Sequence, residues 1–156
     1  MDTKTAIASS SSSGPEIETC QQSSWKRQFG HPTGMLGWMV GHLMAAKNIG
    51  MNRLAVEMLN VQPDDRVLEI GCGPGTAIKL LAARVTTGVI AGVDLSEVMI
   101  KQATRRNRQF IEQGLVELRQ GTVSWLPHKN SYFTKAYTAN SFHHWPTPEA
   151  DLREVQ

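Results

Sequence analysis

The residues best placed to do chemistry lie in one stretch, Val67-Leu68-Glu69-Ile70-Gly71-Cys72-Gly73-Pro74-Gly75. Glycines at 71, 73 and 75 let the backbone turn tightly and let a ligand approach it closely. A helix starting just after them would turn its N-terminus, with its unpaired N–H groups, towards that ligand. Glu69 restricts what the ligand can be. A carboxylate immediately before the loop repels a pyrophosphate and suits a cationic ligand carrying an ammonium or a sulfonium. Asp94 closes the run Gly92-Val93-Asp94. It lies about 20 residues past the glycines, where nucleotide-binding α/β folds hydrogen-bond a ribose diol. Together these residues describe an adenosine-type ligand with a positive rather than a diphosphate tail.

Such a site needs strands that end side by side and helices that follow them. Residues 66–70 read as a short buried strand, 71–75 as the glycine loop and 76–84 as a helix. A second strand is expected over 89–93. A long helix follows over 96–113, opened by Ser96 as N-cap and ended by Gly114. Third and fourth strands are expected over 115–120 and 134–139, with a loop over 121–130 between them, and another helix from 148 onward. Strands alternating with helices imply an α/β fold with a parallel sheet. Two more helices precede it, over 34–47 and 51–60. The second carries Met51, Leu54, Ala55, Met58 and Leu59 on one face, and core packing accounts for most of the methionines in this region. Residues 1–24 are polar and Ser-rich and lack the apolar surface to offset ordering entropy, so they read as a disordered tail. The chain thus divides into that tail, a helical segment over 25–60 and a ligand-binding domain over 61–156.

Taken with what surrounds it, the glycine loop resembles the first motif of class I S-adenosylmethionine-dependent methyltransferases, E/D-x-G-x-G-x-G. GVDLSEVMI resembles the segment after that motif, QGTVSWLPHKNSYF the third motif region, and AYTANSFHHWPTPEADLREV the fourth strand and its helix. The resemblance covers roughly residues 51–156. It implies a Rossmann-like doubly wound parallel sheet and S-adenosylmethionine as cofactor. By resemblance, the backbone of Gly71, Cys72 and Gly73 would face the methionine part, and Glu69 would sit beneath it and help hold its amino group. Asp94 would accept the ribose hydroxyls. Leu95 and Met99 would flank the adenine, with Thr122 and Val123 near its edge. Asn140 would line the methionine side, near where the methyl group is presented. Two positions depart from the pattern: Thr122 stands where an acid often accepts the adenine amino hydrogen, and Thr134 stands where an aspartate is usual.

The family's sheet has seven strands in the order 3-2-1-4-5-7-6, and the sequence supplies the 3-2-1-4 half. The expectation is a domain incomplete at its C-terminus, with strand four an open edge and self-association through that edge. The implied activity is methyl transfer to a small-molecule acceptor. The alternative is a truncated or degenerate domain that binds cofactor weakly or serves as an interaction module. A nicotinamide-dependent oxidoreductase would need G-x-G-x-x-G with no acid before it.

Other residues carry less. Cys72 reads as a small apolar residue in a tight loop, not a nucleophile. His143 and His144 are adjacent, so they do not share a helix face as a metal pair would. One of them is expected to line the substrate mouth, with His143 the best candidate for a general base. Lys101, Arg105, Arg106 and Arg108 read as a solvated helix face. Sixteen Lys and Arg against fourteen Asp and Glu give a net charge of +2. That balance disfavours a nucleic-acid partner, and Ala139-Asn140-Ser141-Phe142 lacks the N-P-P-Y tetrad of base methylation. The apolar run over 33–46 falls short of the roughly 20 residues that span a bilayer. With only Cys20 and Cys72, no disulfide framework or zinc motif forms, which fits a cytoplasmic setting.

Overall fold

Four short runs form the sheet, β1 (Arg66–Ile70) and β2 (Val89–Asp94) mostly apolar, β3 (Val116–Gln120) and β4 (Lys135–Thr138) more polar. A computed structural model of the chain describes Met39 and residues 48–155. The tail expected over 1–24 and the helix expected over 34–47, Met39 apart, lie outside the described residues. The strands are all parallel, in the order β3-β2-β1-β4. β1 and β2 are buried along nearly their whole length, as parallel strands covered on both faces must be. Among the described residues β4 pairs with β1 and with no other strand. The chain runs outward through β2 and β3, then returns to the far side of β1. That reversal places a crevice at the carboxyl ends of β1 and β4, where open α/β sheets bind ligands.

Helices cover the two faces. α1 (Ile49–Met58) and α2 (Thr76–Leu81) pack on one side, where Val56, Ile78 and Leu81 join Val67 and Ile90 with no exposed surface. Each such side chain contributes about 1.5–3 kcal/mol by leaving water. Leu68, Ile70, Ala91 and Val93 point the other way and meet Val123, Phe133 and Trp145. Period-2 alternation therefore sends Glu69 to the same side as Val67.

Three expectations are corrected here. Met51, Leu54 and Met58 share a face of α1, but that face is exposed, and the helix packs through Val56 instead. Spacing says which residues lie together, not which way they turn. The helix expected over 96–113 is two helices, α3 (Glu97–Arg106) and α4 (Arg108–Glu112), parted at Asn107. Asn107 is fully buried, and its side-chain amide donates to the carbonyls of Gly75 and Ala103. The helix expected over 76–84 stops at Leu81. After β4 come a 3-10 turn at Phe142–His144 and α5 (Pro148–Val155), the former unforeseen.

Thr134 is occupied at the opposite end of the strands from the crevice. Its hydroxyl donates to Asp65 at 2.8 Å and accepts from the Arg66 N–H at 3.0 Å. Lys135 completes this corner by pairing with Asp65 at 3.1 Å and donating to the carbonyls of Leu59 and Asn60. The threonine thus fastens β4 to β1.

Candidate functional site

The glycine loop takes its shape from the ends of β1 and β2. The N–H groups of Gly71 and Cys72 both donate to the Val93 carbonyl, so the chain stays beside β2 as it turns. Gly71, Gly73 and Gly75 all have positive φ, a conformation that other residues adopt only with strain. At Gly75 a side chain is also excluded by space, because a Cβ would lie 2.8 Å from Ala103 Cβ and 2.6 Å from Asn107 Nδ2. At Gly73 a Cβ would meet nothing within 4 Å. That glycine opens its backbone to the crevice.

Asp94 fastens this loop to the next helix. One of its carboxylate oxygens accepts from the Gly73 N–H and the other from the Ser96 N–H, both at 2.8 Å. Ser96 in turn caps α3 by accepting from the Met99 N–H. Arg106 donates to the Pro74 carbonyl from the same helix. The expected solvated face is thus correct for Lys101 and Arg108, which pair with Glu97 and Glu112 at 2.7 Å in solvent. Arg106 instead turns in and holds the loop.

A cavity of about 320 Å³ opens at the carboxyl ends of the strands, within the size range of small-molecule sites. Its wall includes Glu69, Gly71, Cys72, Gly73, Asp94, Leu95, Met99, Thr122, Val123 and Asn140, so the structure brings all ten of these residues together. Met99 and Val123 are buried, whereas Leu95 is about half exposed. The Thr122 hydroxyl already accepts from the Ser124 N–H at 3.1 Å. Asn140 has φ 60°, a left-handed conformation that asparagine tolerates better than most residues. Ser141 beside it donates to the Ile70 carbonyl at 3.0 Å. Its side chain fills the space that a Cβ on Gly71 would need.

Burial sets the electrostatics of the deep wall. Glu69 is 3% exposed, and desolvation raises its carboxyl to about 8. The Tyr137 phenol opposes that rise and the Asp94 charge adds to it. Cys72 is pushed up by the same burial, then by Glu69 and Asp94, so it stays a thiol. Among the described residues no cluster of three or more His, Cys, Asp or Glu could hold a metal ion, and no helix is long and apolar enough to cross a membrane.

His143 is not on the cavity wall; His144 is. The two rings lie 3.9 Å apart between centroids, but successive residues of a 3-10 turn point about 120° apart, so only one can face the crevice. Sequence reasoning also missed Asn48 and Asn52, which line the cavity from the start of α1. Their spacing of four puts them on one helix face, the signal that was available.

S-adenosylmethionine fits this donor set. Glu69, whose buried Oε2 has no hydrogen-bond partner, the open backbone of Gly73, and Asp94 with apolar Met99 and Val123 all line the one cavity.

A family model described as a methyltransferase domain matches residues 67–156, more than half of the chain. Among curated proteins the chain is similar to the uncharacterized methyltransferase YdaC of Bacillus subtilis, 28% identical over 75% of this chain and 62% of that protein. It is also similar to the 2-phytyl-1,4-naphtoquinone methyltransferase of Synechococcus elongatus, 30% identical over 67% of this chain and 45% of that one. Among solved structures, a SAM dependent methyltransferase from Aquifex aeolicus shares the fold, with a TM-score of 0.60 at 20% identity over 67% of this chain and 55% of that one. The chain spans less than two thirds of the length of each of these relatives.

Proposed function

The chain belongs to the methyltransferase domain family, and from that premise we propose that it is an S-adenosylmethionine-dependent enzyme that methylates a small molecule. The observation that carries this reading is the pair of carboxylates, Glu69 and Asp94, on the wall of one cavity with the open Gly73 backbone, whose N–H Asp94 holds. Glu69 would take the ammonium of the cofactor and Asp94 the ribose hydroxyls. Leu95, Met99 and Val123 give the adenine an apolar bed, and the Thr122 hydroxyl keeps a free lone pair for its edge. The bound cofactor supplies a methyl group on a sulfonium, an already activated electrophile. The protein's own task is then mainly to align donor and acceptor and to keep water away.

The acceptor would enter along Asn48, Asn52, Asn140 and His144. Amides and an imidazole orient a small polar or aromatic molecule without demanding a charge on it. The relative from Synechococcus is named for a quinone substrate, which supports a small acceptor. Where the nucleophile must lose a proton, His144 is the imidazole on the wall to accept it. With just two cysteines in the sequence, we place the enzyme in the cytoplasm.

Calorimetric titration tests the cofactor directly. Heat and a thermal shift with S-adenosylhomocysteine, and neither with NADH, are the expected result. Absence of both signals with S-adenosylhomocysteine would overturn the proposal. A radiolabelled methyl donor incubated with a metabolite pool then identifies the acceptor, and label entering nucleic acid instead would refute a small-molecule role.

A further inference from the structure

Two groups on the deep side of the sheet are left unsatisfied by the fold. Glu69 Oε2 is buried with no hydrogen-bond partner, although Glu69 faces the cavity. Tyr137 stands opposite Glu69 in the register of β1 with β4, and its hydroxyl is also buried, near enough to that carboxyl to favour its ionised form but not joined to it by a hydrogen bond of ordinary geometry. The helices bring no charge to this pair: Tyr137 packs against the apolar cluster of Val56 from α1 and Ala77 and Ile78 from α2, and the polar residues they add to the cavity wall, Asn48, Asn52 and Thr76, are neutral. The charged residues of those helices, Arg53, Glu57 and Lys79, are exposed. The ionisable groups that act on this pair are Asp94 from β2 and Cys72 from the loop, and neither is a cation. A carboxyl buried in such surroundings takes up a proton rather than stay charged. A ligand ammonium arriving beside it reverses the preference, because a nearby opposite charge favours the ionised form.

Resting on the function proposed above and deepening it, we infer that Glu69 is a neutral carboxyl in the ligand-free protein and ionises when the ammonium end of the cofactor arrives. Its proton leaves to solvent, and the Tyr137 hydroxyl donates to the new carboxylate. Tyr137 is a positioning residue: it acts through Glu69. The carboxyl's rise to about 8 agrees with this arrangement. Cofactor binding is thereby coupled to pH, and only ligands that carry the ammonium engage the coupling.

Calorimetry of the 156-residue chain in buffers of different ionisation enthalpy counts the protons released per ligand bound. At about pH 6.5 the ligand's own amino group stays protonated, since such groups titrate at about 7.7–8.0. S-adenosylhomocysteine is expected to release close to one proton there. 5′-Methylthioadenosine, which lacks the amino-acid end, is expected to release none. Affinity for S-adenosylhomocysteine should rise about tenfold per pH unit below the midpoint and fall again above about pH 8, where the ligand's own amino group loses its proton. Tyr137→Phe should weaken binding about threefold to tenfold and move the midpoint to higher pH, whereas a tyrosine with only a packing role would leave the midpoint in place. Glu69→Gln should bind without releasing a proton; if that variant does not fold, the buffer series and Tyr137→Phe still decide. Binding of S-adenosylhomocysteine with no proton release overturns the inference while leaving the proposed function standing. Equal release by 5′-methylthioadenosine overturns it as well. No binding of S-adenosylhomocysteine at all refutes the proposed function and the inference with it.

Discussion

The two walls of the cavity are built by different means. The wall from β1 through the glycine loop to β2 is mostly backbone. Its N–H groups are tied to the Val93 carbonyl and the Asp94 carboxylate, and Asn107 holds it from behind through the Gly75 carbonyl. The wall over 139–146 consists largely of exposed side chains on a turn, steadied by the bond from Ser141 to the Ile70 carbonyl. A wall of tied backbone has little freedom and suits a ligand that never changes. A wall of exposed side chains can alter its chemistry without disturbing the fold. On the function proposed above, the first would take the cofactor and the second the acceptor.

If this contrast is right, the largest effect on stability comes from the tied wall. Gly75→Ala combines a left-handed backbone with a Cβ 2.9 Å from the Ala103 Cα. The conformational term is about 1–2 kcal/mol and overpacking adds about 1–3 kcal/mol. Urea denaturation should therefore show a loss of about 2–5 kcal/mol. A loss below about 1 kcal/mol would mean that the loop is far less constrained than its contacts indicate.

Next comes Asp94→Ala, which should weaken S-adenosylhomocysteine binding by about 1.5–3 kcal/mol, the range for hydrogen bonds to a charged group. A folded variant that binds as tightly as the parent would leave Asp94 with only its structural bonds to Gly73 and Ser96.

Smaller per pH unit, though it accumulates across the window, is a slope of stability with pH. Folded Glu69 keeps its proton up to about pH 8, while its unperturbed value is 4.5. Between those values the folded state binds more protons than the unfolded one. Stability of the ligand-free protein therefore falls as pH rises through that window, by at most about 1.4 kcal/mol per unit. Asp65 and Asp151 are shifted down, Asp65 first by the bond from the Gln62 N–H and Asp151 first by Ser124. Their contribution is present at neutral pH and lost only in acid below about pH 4, so it does not mask the Glu69 window. Glu69→Gln should flatten the slope in a series of melts from about pH 6.5 to 8, above the range in which His128, shifted down by burial, adds a slope of opposite sign; an unchanged slope would show that Glu69 is not its source.

The contrast between the walls also explains what could be read from the sequence. β1, the glycine loop and Asp94 were legible because each is encoded within a few residues: an apolar run, glycines where the backbone must turn, and an acid at a strand end. That the strands run parallel followed from their alternation with helices, whereas their order came from the family resemblance. The break at Asn107 was not legible, because its cause is a bond to Gly75, 32 residues away. The outward turn of Met51, Leu54 and Met58 was hidden for a related reason: periodicity has no sense of inside. His143 and His144 could not be told apart because the 3-10 turn that separates their directions is set by where β4 ends. Asn48 and Asn52 reach the cavity only through the packing of α1 on α2.

Asn140 is where the exposed wall can be tested most finely, and the expected effect is the smallest. Its left-handed φ of 60° is open to glycine at no steric penalty and opposed by the Cβ of alanine. Asn140→Gly should leave stability within about 0.5 kcal/mol of the parent, as for a surface change, while Asn140→Ala should lose about 1 kcal/mol. The pair separates two roles of this residue. If the amide orients the ligands, both variants lose methyl transfer together although the glycine variant keeps the turn. If the residue serves only to shape the turn, glycine retains transfer and alanine loses it. A third pattern, in which Asn140→Gly destabilises by more than Asn140→Ala, would show that the side chain itself holds the turn. The exposed wall would then be as tied as the glycine loop, and the distinction between the two walls would fail.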